Sequence, residues 1–328
     1  MITRPHFQRL VERVRLLPPL PAAFVYPCSA DALQFALSGA FAGYLAPMLV
    51  GPEARIRDIA NRAGIDTSRL EIVDTDDDPR AAGVRAAELA RAGKIKALVK
   101  GSLGNEDLLA PVAAPESGLR GERRLSHAYF LDLPGLSHGI LLADALLNIA
   151  PNLAAKKDIT LNTLEFALAL GVATPHVALL AAMDVESPAF PSTRDAVALK
   201  AMAAQGLFGS AVIEGPITAD SAWSADAARA NGLKSEVAGR ADVLIAPSME
   251  SASLVLRTLT ALTGGLAAGL VLGARLPIVA PARNDSMEVR MASCVLASVM
   301  VAAAENSERD TKGPAASMVA EAIARAAA

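Results

Sequence analysis

The sequence is poor in several of the residues on which folds and active sites are often built. Aromatics are 4% of the chain, so its cores must be packed from Ala, Leu, Val and Ile. Only Cys28 and Cys294 are present, which excludes a disulfide framework and a cysteine metal set. The four histidines, His6, His127, His138 and His176, are scattered without HExxH or other paired spacing. Neither sign of charge dominates: 31 Lys and Arg stand against 34 Asp and Glu, a net charge of −3. With no basic stripe, nucleic acid is not an expected partner. No apolar run reaches the ~18 residues of a membrane span without a Gly, Pro or charge, so no membrane partner is expected. The charged start MITRPHFQRLVERVRLLPP does not read as a signal peptide. Together these absences predict a soluble, cytoplasmic protein with no structural metal.

What is present is apolar surface and length. Hydrophobic residues are 52% of 328, a length at which one core usually splits in two. Short β-branched runs alternate with helical patterns, at 23–27, 47–51, 70–74, 95–101, 127–133, 139–144, 176–182, 209–215, 242–247, 269–273 and 277–281. Such alternation predicts βαβ units and mainly parallel sheets covered on both faces. HAYFLDLPGLSHGILLAD (127–144) breaks the pattern and predicts an antiparallel pair around PGLSHG. A boundary is expected near 148–157, where Pro151 stops one element and a long helix begins.

In open α/β sheets, ligands sit beyond the carboxyl ends of strands, and one such end stands out. Residues 264–279 hold a single charge, Arg275, and Met291–Ala304 hold none. Between them APARNDSMEVR places Arg283, Asn284, Asp285 and Ser286 in a row. Asp285 and Glu288 have capping-box spacing, which predicts a helix starting near Ser286. A helix N-terminus offers unpaired N–H groups, and Arg283 adds a planar cation just before it. The arrangement suits a phosphate or a thioester oxygen. An ordinary capped helix with a surface arginine is the plain alternative.

Other strand ends carry similar blocks: KGSLGNEDLL (100–109), LSHAYFLDLP (125–134), ADALLNIAP (143–151), EGPITADSA (214–222), LKSEVAGRADVLIAP (233–247) and VLGARLPIVAPARNDS (271–286). In this order and spacing the chain resembles the phosphate acetyl/butyryltransferase family, and its butyryl branch more than its acetyl branch. The resemblance implies acyl transfer between coenzyme A and inorganic phosphate. Coenzyme A and acyl-CoA would be substrates, acyl phosphate a product, and no cofactor or metal would be needed. It implies an α/β fold of two three-layer α/β/α domains, related to isocitrate and isopropylmalate dehydrogenases, with the site in the interdomain cleft. Residues 1–148 plus 295–328 would form the first domain and 149–294 the second, and a homodimer is expected.

Carried onto this chain, the resemblance makes Arg283 the ligand of phosphate or acyl phosphate. Asp285 and Glu288 are both open as the base that takes the coenzyme A thiol proton, and Ser286 is a donor to a substrate oxygen. Lys100, Ser126, Asp144, Asn148, Gly215, Pro216 and Asp220 are candidate substrate contacts. Asp144 and Asn148 read either as a hinge or carbonyl-polarising pair, or as a cap near Pro151. Gly215 and Pro216 read as a tight turn bringing backbone to the substrate. Lys100 and the arginines of RGERRLSH (120–127) read as steering coenzyme A phosphates or as solvated. Ser126 and His127 point to opposite faces of a strand and cannot form a dyad. The chain departs from the family at Ala282, where Ser is common, at Val289, where the acetyl branch has Asp, and at Ser248 and Ser253, where the butyryl branch tends to Asn. These departures keep a non-catalytic acyl-CoA-binding relative as an alternative. A dehydrogenase of the same fold is a lesser one, since all three tyrosines, Tyr26, Tyr44 and Tyr129, lie in the first half and no acidic cluster stands at the strand ends.

Overall fold

The structure is a computed structural model and describes residues 4–312. Each of the apolar runs becomes a strand: β1 Leu20–Val25, β2 Leu45–Val50, β3 Glu71–Val73, β4 Ala97–Lys100, β5 Ser126–Asp132, β6 Ile140–Ala143, β7 His176–Leu180, β8 Val212–Ile217, β9 Val243–Ile245, β10 Leu266–Leu272 and β11 Ile278–Val279. The helices are α1 Pro5–Val14, α2 Ala30–Phe41, α3 Glu53–Ala63, α4 Pro79–Arg91, α5 Asn105–Ala113, α6 Leu153–Leu170, α7 Pro191–Ala204, α8 Ala219–Trp223, α9 Ala225–Ala230, α10 Met249–Thr263 and α11 Met287–Lys312.

The strands form one sheet in the order β3-β2-β1-β4-β11-β10-β5-β6-β9-β7-β8. The two expected sheets are therefore continuous. Pairing is parallel through β3-β2-β1-β4-β11 and again through β6-β9-β7-β8. Between these blocks β11-β10, β10-β5 and β5-β6 are antiparallel. The β5-β6 pair is the one predicted around PGLSHG. Three reversals leave the two parallel blocks running in opposite directions, so their carboxyl ends lie at opposite edges of the sheet. This decides which strand-end clusters can meet.

The core is built from small aliphatic side chains, as the scarcity of aromatics requires. Ala22, Ala23, Ala97, Leu98, Val99, Ile278 and Val279 are fully buried. Phe24 meets Phe35 edge-on at 5.1 Å and anchors α2 on β1. Helix α6 starts after Asn152, whose side chain accepts from Ala155 N, and ends at Gly171 with φ 100°. Helix α11 packs against β10, α1, α6 and α2. Its segment Met287–Ser307, mean hydropathy 1.6, is long and apolar enough to cross a bilayer. Cys294, Leu296 and Ala297 on it are nevertheless fully buried in the protein core. The junction expected at 294/295 falls inside this helix, and residues 313–328 of the expected first domain lie outside the described residues.

Candidate active site

At the carboxyl ends of β1, β4 and β11 a cavity of about 340 Å³ opens. Ser29, Asp31, Lys100, Ser102, Arg283 and Arg290 line it. Ser29 caps α2 by accepting from Ala32 N, and the Ser102 hydroxyl donates to Ser29 Oγ at 2.8 Å. Glycine is required at 101, because a Cβ there would stand 2.5 Å from the Val25 carbonyl oxygen. That close approach lets the chain leave β4 beside the end of β1. Lys100 donates to Asn105 Oδ1 at 2.8 Å. Burial first, then the charges of Arg283 and Arg290, lower the affinity of its amine for a proton, while Asp285 opposes them.

The turn 282–286 forms the other wall. Asp285 Oδ2 accepts from Ala282 N at 2.8 Å, and Asp285 N donates to Ala282 O at 3.1 Å. Ser286 is the cap of α11: its hydroxyl accepts from Val289 N at 3.3 Å, and the helix begins at Met287. The capping box expected between Asp285 and Glu288 therefore does not form. With two cap-competent residues adjacent, Ser286 takes the helix and Asp285 closes the turn. Glu288 is carried outward and pairs with Arg4. Arg283 is exposed at the cavity, with no side-chain hydrogen bond or ion pair among the described residues. Asp285 is partly buried, and desolvation raises its carboxyl above the usual 3.8; Ala282 N, Arg290, Lys100 and Arg257 pull it back. The result is a carboxylate with increased affinity for a proton beside cations suited to an anion.

Two neighbours were missed by sequence reasoning. Tyr129, midway along β5, has its phenol pushed up to about 12 by burial, then by Asp285, with Arg257 opposing and Asp144 adding. It lies in the field of both carboxylates. No periodicity distinguishes such a tyrosine from a core one. Arg290 is buried in the first turn of α11; it belongs to the polar stretch 280–290, but helical position alone assigns it no partner.

Other predicted residues lie elsewhere. Ser126 is fully buried and held by Asn162 Nδ2 at 2.9 Å on the α6 side, away from the cavity. His127 points the other way, against the Tyr129 ring at 4.4 Å, so the two do face apart. Asp144 accepts from His127 N, Leu146 N, Leu147 N and Asn148 Nδ2, the last at 2.6 Å. Asn148 also donates to Leu125 O and accepts from Arg124. This pair ties the loop after β6 to the start of β5. It is not the cap of α6, which is Asn152.

Gly215 and Pro216 lie inside edge strand β8, not in a turn. A Cβ at 215 would stand 2.6 Å from Leu179 Cβ, so the packing of β8 on β7 itself calls for glycine here. Asp220 is exposed on α8, its carboxyl held low by hydrogen bonding from Thr218. Ser248 caps α10 in a capping box with Ser251, and Ser253 accepts from Arg257. Of the arginines in 120–127, Arg123 pairs with Glu165 and Arg124 is engaged with Asn148. Cys28 and Cys294 are buried, with burial pushing the Cys28 thiol up to about 11 and that of Cys294 up as well.

The chain is 40% identical to a phosphate acetyltransferase of Rhizobium meliloti over 90% of its own length and 93% of that protein. It is 34% identical to a phosphate butyryltransferase of Clostridium acetobutylicum over 77% and 84%. Of these two the acetyltransferase is the more similar, so overall identity lends no support to a leaning toward the butyryl branch. A branched-chain phosphotransacylase from Enterococcus faecalis superposes with a TM-score of 0.75 at 25% identity, covering 86% of this chain and 99% of that one. The profile described as phosphate acetyl/butaryl transferase matches residues 80–298. The chain belongs to the phosphate acetyl/butyryl transferase family, and is an enzyme of the acyltransferase class.

Proposed function

We propose that the protein transfers a short acyl group between coenzyme A and inorganic phosphate through a ternary complex. The observation that carries this reading is one cavity shared by Lys100, by Arg283, whose side chain has no partner among the described residues, and by the start of α5, which no side chain caps, with Asp285 in the turn that forms one wall. In the forward direction a phosphate oxygen attacks the thioester carbonyl, the C–S bond breaks, and the coenzyme A sulfur takes a proton. In reverse, Asp285 accepts the thiol proton, the thiolate attacks the acyl phosphate carbonyl, and phosphate leaves. Arg283 neutralises the phosphate and the developing oxyanion, the kind of preorganised donor that favours the transition state over the ground state. Lys100 helps hold the second anionic substrate, and orientation of the pair accounts for much of the acceleration. We assign the base to Asp285 rather than Glu288, which stands outside the cavity on Arg4. No step calls for a metal or a redox cofactor.

The cleft reading takes residues 1–148 plus 295–328 as one domain and 149–294 as the other, with the cavity lined by Ser29, Asp31 and Lys100 of the first and Arg283 and Arg290 of the second. A homodimer is supported by α10, on which only Ala252 is buried while Leu254 and Leu262 are 68% and 80% exposed. We take the location to be cytoplasmic, a reading supported by the water-borne substrates. The test is phosphate-dependent release of coenzyme A from acetyl-, propionyl- and butyryl-CoA, read with a thiol reagent in the presence of EDTA. Tight acyl-CoA binding without turnover would instead support the non-catalytic alternative; chelator-sensitive turnover would refute the metal-free mechanism.

A further inference from the structure

The cavity has two walls from distant parts of the sequence, the start of α2 and the turn 282–286, and one buried side chain spans them. Arg290 is 8% exposed. Its Nε donates to the Asp285 carbonyl at 3.1 Å and its Nη2 to the Arg283 carbonyl at 3.2 Å. Its Nη1 pairs with Asp31 in the first turn of α2. The guanidinium carbon lies over the Phe35 ring, 5.9 Å from the centroid, and Phe35 is itself locked on β1 by Phe24.

All three guanidinium nitrogens are thus used, two of them on backbone carbonyls that no regular element satisfies. A residue that served only to bury a helix face would not be an arginine, since burying a charge is costly unless it is paired and hydrogen-bonded. A residue that served only to supply charge could be a lysine. Two carbonyls and a carboxylate set around one planar group call for the fork of arginine. The carbonyls it grips belong to Arg283 and Asp285, the two residues whose side chains the proposed reaction uses.

We propose that Arg290 is a positioning residue: its guanidinium clamps the turn 283–286 to the start of α2, so that Arg283, which lines the cavity, and Asp285 in the same turn are held in a single relative placement. The inference rests on the acyl-transfer reading for its kinetic consequence, and on geometry alone for the clamp.

The test uses the full chain with Arg290→Lys and Arg290→Ala. Lysine keeps the charge and the bond to Asp31, yet one ammonium cannot grip both carbonyls. Expected for Arg290→Lys is a fall in kcat of about 10- to 100-fold, the scale of a misplaced reacting group, with KM for acyl-CoA within about threefold because Lys100 and Arg283 remain and the lysine keeps the positive charge at 290. Expected for Arg290→Ala is a larger fall, partly restored by millimolar guanidinium. Amide hydrogen exchange at 282–286 should speed up in both variants while thermal melting of Arg290→Lys stays cooperative. Unchanged exchange at 282–286 in Arg290→Lys would overturn the clamp whatever the activity does. Faster exchange with wild-type kcat would overturn its bearing on the reaction. If the wild-type chain shows no phosphate-dependent release, the acyl-transfer reading fails, and with it the kinetic role; exchange then decides the clamp by itself.

Discussion

Two polar clusters in this molecule look alike in sequence and behave differently in space. One comprises Lys100 and the residues 281–286 at the ends of β4 and β11. The other comprises Asp184, Thr218, Ser221 and Asn231 around the end of β8. In the second, Asp184 accepts from Thr218 N at 2.6 Å, Ser221 Oγ at 3.2 Å and Asn231 Nδ2 at 3.2 Å, and Thr218 Oγ1 donates to Ser221. Its polar groups satisfy one another. In the first, Arg283 has no side-chain partner among the described residues, Lys100 is held by a neutral amide, and Asp285 is desolvated. A self-satisfied cluster lowers the cost of burying polar atoms; an unsatisfied one around a cavity retains capacity for a ligand. Site and scaffold differ here in partners, not in composition.

Arg283→Ala should separate the clusters most sharply. Turnover should fall about 100- to 1,000-fold, the loss of one preorganised donor worth ~2.7–4 kcal/mol, with the melting temperature unchanged. Arg283→Lys should recover little. Steady-state kinetics of both variants decide; near-normal Arg283→Ala would return the turn to an ordinary helix start.

Asp285→Asn should cost about 100-fold in acyl-CoA synthesis, the lower end for a general base, because a thiol of reference pKa ~8.5 ionises partly unaided. Its stability should move the other way. The folded carboxyl is raised above 3.8, so its contribution is full below the ordinary carboxylate value and is lost as pH rises through the raised one. The asparagine variant should therefore melt no lower than wild type at pH 7, and the difference should shrink on acidification. Thermal melts across pH check this, and an Asp285→Asn that is both active and destabilised would reduce Asp285 to a turn former.

Asp184→Ala should do the reverse of Arg283→Ala. Thr218 N, Ser221 and Asn231 lose their acceptor, at about 1–3 kcal/mol of stability, while kcat of the remaining folded enzyme stays near wild type. A selective loss of kcat there would move the second cluster into the site.

Glu288→Gln should have the smallest effect. The Glu288 side chain is 59% exposed in its pair with Arg4, and such pairs are worth ~0–1 kcal/mol. Activity and its pH profile should be unchanged; a severe loss would transfer the base from Asp285 to Glu288.

These differences also show how far the sequence could be read. The strands were legible because buried parallel strands are continuous apolar runs, and the β5-β6 reversal because PGLSHG interrupts the alternation. The Arg283–Ser286 turn was legible because a polar run inside an apolar stretch must lie at a surface or a site. Ser126, Gly215, Pro216 and Asp220 join it as candidates through the motif resemblance, which follows order along the chain and not the edge of the sheet at which a residue lies. Sequence does not show that three antiparallel pairings set the second block running the other way. Nor does it show whether Asp285 or Ser286 caps α11, since both can accept a backbone N–H and the spacing differs by one residue.

The sequence by itself determined the α/β alternation, the aliphatic composition of the core, the polar turn that opens α11, and the family to which the chain belongs. These rest on local pattern and on the order of motifs, which survive without coordinates. Only the tertiary structure decided that Lys100, Ser29 and Arg283 line one cavity, that Glu288 pairs with Arg4, that Tyr129 feels the charges of Asp285 and Asp144, and that Arg290 joins α2 to the turn. Each of these is a meeting of groups far apart in the chain, or a choice between neighbouring hydrogen-bond partners. Both are settled by sheet direction, burial and distance, which periodicity does not encode.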